Sequence, residues 1–117
     1  MGKVDFKVDG TEFLKSLDQY GAKVTEGLKD AIKTCALAIE SDAKRNCPVD
    51  TGRLRMSIVS NLSNVGNFEA EVGTNVEYAT YVEYGTHKQS PRPYLRPAYN
   101  KNVAALETKL NKILGGK

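Results

Sequence analysis

One amphipathic stretch in the first half of the chain constrains the fold more than any other feature. Its apolar residues recur at steps of three or four, which is the spacing of one face of an α-helix. They are Val24, Leu28, Ile32, Cys35, Ile39 and Ala43. Pro48 disfavours helix in the residue before it. The pattern therefore predicts a helix from about Ala22 to Cys47, whose apolar stripe other elements must cover.

Three further segments alternate apolar and polar residues, as half-buried strands do. Val4 to Val8 predicts a short strand that ends at Asp9 and Gly10. Leu54 to Leu62 and Phe68 to Val72 predict the two strands of an antiparallel hairpin, with its turn at residues 63–67.

The remaining elements are helical or open to two interpretations. Residues 11–20 favour a short helix bearing Phe13, Leu14, Leu17 and Tyr20. The segment Tyr78 to Tyr84 fits either a short helix or a third strand, and residues 85–93 form an exposed loop. Pro97 suits the first turn of a final helix. The order of elements predicts an α+β fold in which a long N-terminal helix and a C-terminal helix pack on a small antiparallel sheet.

Length and composition limit the function classes. A chain of 117 residues is expected to form a single domain over 1–117. The 17 basic and 14 acidic residues give a net charge of only +3, too weak to indicate nucleic acid by bulk charge. The sequence has no apolar run of membrane-spanning length and no signal-peptide pattern at its start, so assembly in a cytoplasm is expected. Cys35 and Cys47 are expected to be reduced thiols, one in the core and one near the end of the helix.

No pattern of catalytic residues stands out. The triplet Asp50-Thr51-Gly52 occurs in aspartic proteases of the retroviral type, but here it follows a polar helix end and Pro48. Arg53 and Arg55 come next, and a guanidinium beside the carboxylate would keep it ionised. The single histidine and two distant cysteines do not make a usual zinc site. We therefore expect neither an enzyme nor a cofactor.

Tyrosines are concentrated in one short segment. Four of the six tyrosines lie between Tyr78 and Tyr94. Core packing under a long loop explains such a cluster, and so does a subunit interface, where tyrosine combines a large contact area with a polar tip. Stacking on single-stranded nucleic acid is a third hypothesis, because Arg92 and Arg96 lie close by.

The interface hypothesis selects residues from this segment and from the turn after Pro48. The candidate contact residues are Arg53, Arg55, Tyr78, Tyr81, Glu83, Tyr84, His87, Lys88, Arg92, Tyr94 and Arg96. Glu83 and Arg96 are candidates for a charge pair within or between subunits. The loop from Gly85 to Ser90 is expected to be mobile in an isolated subunit and to become ordered on assembly.

Taken together, these motifs resemble a family of small tail-component proteins of long-tailed bacteriophages, the head–tail joining or neck proteins. The resemblance rests on Ala43 with Pro48 to Ile58, on Tyr78 to Thr86, and on Pro93 to Ala98 before the C-terminal helix. It extends from about Leu28 to Leu114. Tyr84 and Tyr94 stand where phenylalanine is commoner in that family.

The resemblance implies a non-enzymatic virion protein that forms a ring, expected to be a hexamer, around the DNA passage between portal and tail tube. The implied partners are further copies of the chain, the portal or head-completion proteins, the tail-tube or tail-terminator proteins, and passing DNA without sequence recognition. No membrane partner is implied. Two alternatives stay open at this point: a tail-terminator ring of the same virion class, and a small nucleic-acid-binding protein.

Overall fold

The computed structural model describes residues 4–10, 22–47, 52–88 and 90–115. Within these ranges the chain forms a three-stranded antiparallel sheet and four α-helices. The α+β class predicted from the sequence is confirmed. The predicted short helix at residues 11–20 lies outside the described residues, and the extent of the domain stays a prediction.

Helix α1, Ala22–Asn46, is the predicted long helix. Leu28, Ile32, Ile39 and Ala43 are almost completely buried, so the predicted stripe faces the core; the side chain of Val24 lies outside the described part. Lys44 and Arg45 occupy the last turn, where positive charge interacts favourably with the helix dipole.

The sheet has the strand order β1-β3-β2, with β1 at Val4–Asp9, β2 at Val59–Asn61 and β3 at Glu69–Thr74. Phe6 is paired with Val72, and Val8 with Ala70. Ala70 and Val72 are buried towards the core, together with Val8. Because side chains alternate along a strand, the residues between them point to the opposite side of the sheet.

The predicted strand at Leu54 to Ile58 is wrong, because Gly52–Ser57 forms helix α2. Leu54 and Ile58 are fully buried while Met56 is 81% exposed. Residues four apart share one side of a helix, so the spacing of Leu54 and Ile58 fits a helix as well as a strand. The hairpin itself is confirmed but shorter, because β2 pairs with β3 only from Val59 to Asn61. A 3-10 helix at Val65–Asn67 occupies the turn, and β3 continues to Thr74, past the predicted end of the strand at Val72.

The segment Tyr78 to Tyr84 adopts the helical alternative, as helix α3 at Ala79–Tyr84. Helix α4, Leu95–Gly115, follows the loop and contains Pro97 in its first turn, as predicted. Leu106 and Leu110 are buried, and Tyr99 and Val103 pack at the margin of the core.

Helices α1 and α4 pack against each other on one side of the sheet. The Asn102 amide donates a hydrogen bond of 2.8 Å to the Asp42 carboxylate, which lowers the pKa of that carboxyl. Cys35 and Cys47 are free thiols, as predicted, and both are buried. In the described part of the chain, no helix combines the length and apolar character that a membrane span requires.

Gly10 allows the end of β1 to approach α1 closely. A Cβ atom at this position would lie 2.5 Å from Cδ1 of Ile32, which is far inside van der Waals contact. The Gly10 N–H donates to the Phe68 carbonyl at 2.8 Å. These contacts fix the sheet on the long helix.

Candidate interaction surface

Glu83 is the most unusual residue of the tyrosine-rich segment, because its side chain is only 2% exposed. Its Oε1 accepts hydrogen bonds from the backbone N–H groups of Tyr94 at 3.2 Å and Leu95 at 2.9 Å. Its Oε2 accepts one from the N–H of Arg96 at 3.0 Å. The first N–H groups of a helix lack partners within the helix and favour negative charge. Glu83 of α3 therefore caps the N-terminus of α4.

Tyr94 is also buried, with no exposed surface. Its hydroxyl donates a hydrogen bond of 3.3 Å to the carbonyl of Ala79. Burial, followed by the nearby charge of Glu83, raises the pKa of Tyr94 well above its ordinary value. The hydroxyl is therefore held in its neutral form between α3 and the start of α4.

Glu83 and Tyr94 are buried within the subunit, where they join α3 to the start of α4. Their predicted place on a contact surface stays a prediction. Glu83 meets Arg96 through the backbone N–H of Arg96. The guanidinium of Arg96 lies over the ring of Tyr84 instead, 5.5 Å from its centroid. The charge pair predicted for Glu83 and Arg96 within the subunit is thus replaced by a helix cap and a cation–π contact.

Tyr81 and Tyr84 are exposed, at 57% and 49%. Together with Arg96 they form what we call the tyrosine surface. It stands on a rigid base, because α3 is tied to α4 through Glu83 and Tyr94. A preorganised aromatic surface loses little conformational entropy when a partner docks on it.

The loop after α3 is pinned at both ends. Gly85 has a positive φ of 75°, which favours glycine, and its N–H donates to the Tyr81 carbonyl. The Arg92 N–H donates to the Val82 carbonyl at 2.8 Å. His87, Lys88 and Arg92 are exposed between or beside these anchors. No acidic residue occurs from Gly85 to Leu106, so the loop presents positive charge next to the tyrosine surface. Its predicted mobility stays a prediction.

A strand at this position would place Arg53 and Arg55 on the same side of the sheet. In helix α2 they do not lie on a common side. Arg53 makes two hydrogen bonds of 2.9 Å to the Glu77 carboxylate, which lower the pKa of that carboxyl. Its guanidinium also lies over the half-buried ring of Tyr78. Arg55 turns inward and donates to the carbonyl of Cys47 at 3.1 Å. Arg55 therefore supports the C-terminal end of α1, while Arg53 stays at the surface.

The sequence interpretation missed the outer side of the sheet, the side opposite the helices. We call it the acidic face. Its carboxylates lie on β1 and β3: Asp5, Asp9, Glu69 and Glu71. Lys7 lies among them and pairs with Glu69 at 3.6 Å. The polar positions in the alternating segments of β1 and β3 were the signal in the sequence that could have revealed this face.

A cleft of about 460 Å³ opens in the acidic face. Asp5, Glu71 and Val59 line it together with Gly73, a buried residue of the central strand. Ser57 and Arg53 border it from α2. The cleft combines carboxylate acceptors with one apolar wall. Among the described residues, no group of three or more His, Cys, Asp or Glu side chains is placed to hold a metal ion.

Comparison with known proteins identifies the class to which this fold and surface belong. Residues 11–85 match the model of a family described as Bacteriophage HK97-gp10, putative tail-component. The match covers more than half of the chain, so the chain belongs to this family of structural phage tail components. It includes the segments around Asp50-Thr51-Gly52 and Tyr78 to Tyr84. A search of curated proteins and a search of solved structures each found no match.

Proposed function

We propose that the chain is a structural virion protein that forms a ring at the head–tail interface of a tailed bacteriophage. It is assembled in the cytoplasm of the host bacterium and has no enzymatic role. The observation that carries the proposal is the tyrosine surface, two exposed rings on a base fixed by the buried Glu83, in a member of a tail-component family. Exposed aromatic residues beside arginine are typical of protein interfaces.

A closed ring requires two different contact surfaces on each subunit, because each copy meets its neighbours head to tail. The described part of the chain offers a tyrosine surface with a basic loop, and an acidic sheet face with a cleft. These differ in charge and in shape. A hexamer of such subunits would surround the DNA passage, with portal or head-completion proteins on one side and tail-tube or terminator proteins on the other.

Removing the protein from the phage tests the place of the ring. DNA-filled heads and separate tails of normal length are expected if the protein joins head to tail. Tails of irregular length would assign it to tail termination, the alternative within the same virion class. Normal infectious particles without the protein would contradict both assignments. Electron microscopy of the particles separates the three outcomes.

A second phage experiment addresses the surface. Replacing Tyr81 and Tyr84 by alanine should give particles with the same defect as the deletion, because the rings carry the contact. Leu37→Ala is the matched control, since Leu37 is also exposed but lies on α1. Normal infectivity of the double variant, with the protein folded and incorporated, would show that another surface makes the joint.

Nucleic-acid binding is the second candidate function. Lys88, Arg92 and Arg96 give the loop region a local positive charge that the whole-chain charge does not reveal. A DNA-binding monomer should keep a mass of 12.8 kDa and lose affinity steeply as salt rises. A ring-forming protein should show a mass several times larger.

A further inference from the structure

Two surfaces of the chain carry opposite charge. The loop and the tyrosine surface contribute Lys88, Arg92 and Arg96 without any acidic residue between Gly85 and Leu106. Among the described residues, the acidic face contributes four carboxylates and Lys7, and Arg53 borders its cleft. Complementary charges steer association and fix its register. Two copies of this chain can satisfy that complementarity if they meet head to tail.

Exposed apolar side chains gather at the same two places. Among the described residues, five large hydrophobic side chains are exposed. Tyr81 and Tyr84 form the tyrosine surface. Val59 lies on the outer side of the sheet and lines the cleft, whereas Met56 belongs to α2 but does not line the cleft. Leu37 on α1 is the fifth. Isolated exposed apolar residues are common on protein surfaces, but those paired with an opposite charge mark a candidate interface.

The cleft suits an aromatic ring with a polar tip. Gly73 lines it without a side chain, Val59 provides apolar contact, and the Glu71 carboxylate provides an acceptor. A tyrosine that enters such a site can bury its ring and donate its hydroxyl to a carboxylate. The cleft therefore matches the side chains that the tyrosine surface presents.

We propose that the tyrosine surface and the basic loop of one subunit dock on the acidic face of the next copy, with a tyrosine ring in the cleft. This inference rests on the proposed ring function and identifies the contact that builds the ring. The contact is directional. Each docked subunit still presents one unused surface of each kind, so the assembly grows until it closes.

Two complementary variants test this direction. Glu71→Lys reverses a charge in the acidic face and leaves the tyrosine surface intact. The double variant Tyr81→Ser and Tyr84→Ser does the opposite. Each variant alone should associate at least about tenfold more weakly than the wild type. An equimolar mixture should form a heterodimer and nothing larger, because only one productive contact remains. Sedimentation velocity at low salt measures the masses.

Matched controls separate the contact from general effects of charge and folding. Glu107→Lys makes the same charge change on an exposed position of α4 and should assemble as the wild type does. Val59→Lys attacks the acidic face from β2, where the side chain is already exposed. In Glu71→Lys the new lysine lies opposite Lys7, and this repulsion between like charges weakens the fold. Val59→Lys avoids that pair and should still reproduce the assembly defect.

Three results would overturn the inference. The first is a wild-type chain that stays monomeric up to about 1 mM, a concentration that detects even weak association. The second is a mixture that remains two monomers, which would indicate a symmetric contact or another surface. The third is normal assembly of either variant, with the loop binding duplex DNA in a salt-dependent manner instead. The phage deletion phenotype does not depend on any of these results, so the proposed function and this contact can fail separately.

Discussion

Two pairs of residues from the same short segment occupy opposite environments. One pair is Glu83 and Tyr94, and the other is Tyr81 and Tyr84. The first pair is buried and fixes α3 to the start of α4. The second pair projects from α3 into solvent. The difference shows that a concentration of aromatic and charged residues combines two roles. One set builds a rigid base, and the other uses that base as a contact surface.

The same division applies to the two arginines of α2. Arg55 donates to a carbonyl at the end of α1, whereas Arg53 pairs with the exposed Glu77. Buried groups of this kind should control stability, and exposed ones should control association. The following predictions test that separation, beginning with the largest expected effect on stability.

Replacing Glu83 by alanine should cost about 3 kcal/mol of unfolding free energy, because three backbone N–H groups at the start of α4 lose their acceptor in the interior. Denaturant unfolding measures the loss. Glu77→Ala is the control, since it removes an exposed carboxylate and should stay close to the wild type. Equal stability of both variants would mean that Glu83 does not act as a cap.

Tyr94 should make stability depend on alkaline pH. Its pKa is raised in the folded state, so above about pH 10 the unfolded chain loses a proton that the folded chain keeps. Its contribution to stability is complete below this pH and declines above it, with a slope of up to about 1.4 kcal/mol per pH unit.

Tyr94→Phe should remove that decline. Burial also raises the pKa of the Cys35 thiol to about 11. Ionisation of this thiol in the unfolded chain therefore also lowers stability, from about pH 9 upward. The comparison therefore belongs in a Cys35→Ala background, with unfolding measured between pH 8 and pH 11. Identical slopes with and without the Tyr94 hydroxyl would contradict a raised pKa for this residue.

How far the sequence predicts the fold depends on the range of the interactions involved. The period of α1 is local and strong, so its buried side follows from spacing, and its end follows from Pro48. Leu54 and Ile58 fit both a strand and a helix, and contacts with the rest of the core decide in favour of the helix. A local pattern cannot decide between a strand and a helix when either of them would bury the same residues.

The surface was harder to predict than the fold. Tyr81 and Tyr84 were selected by residue type and are exposed. Glu83 was predicted to belong with them. Its carboxylate instead accepts hydrogen bonds from backbone N–H groups more than ten residues away, and no local pattern in the sequence reveals such bonds. The acidic face was missed because it forms only when β1 pairs with β3 across most of the chain.

Arg55→Ala should have a smaller effect than loss of Glu83. The guanidinium of Arg55 meets a single carbonyl, at the end of α1. Loss of one charge-assisted hydrogen bond at a helix C-terminus costs about 1 kcal/mol. Thermal unfolding should show a modest fall in Tm for Arg55→Ala and nearly none for the exposed Arg53→Ala. A larger fall for Arg53→Ala would reverse the roles assigned to the two arginines.

Tyr81→Ser combined with Tyr84→Ser should affect association far more than stability. About half of each ring is exposed, so the subunit loses only the buried half of each, and the contact between Arg96 and Tyr84 is worth about 0.5–1 kcal/mol at an exposed site. The unfolding free energy should therefore fall by less than in Glu83→Ala, while association should weaken strongly. Denaturant unfolding and sedimentation velocity on one preparation measure both quantities. If the double variant unfolded as easily as Glu83→Ala, the two tyrosines would belong to the base, and the separation between base and contact surface would not hold.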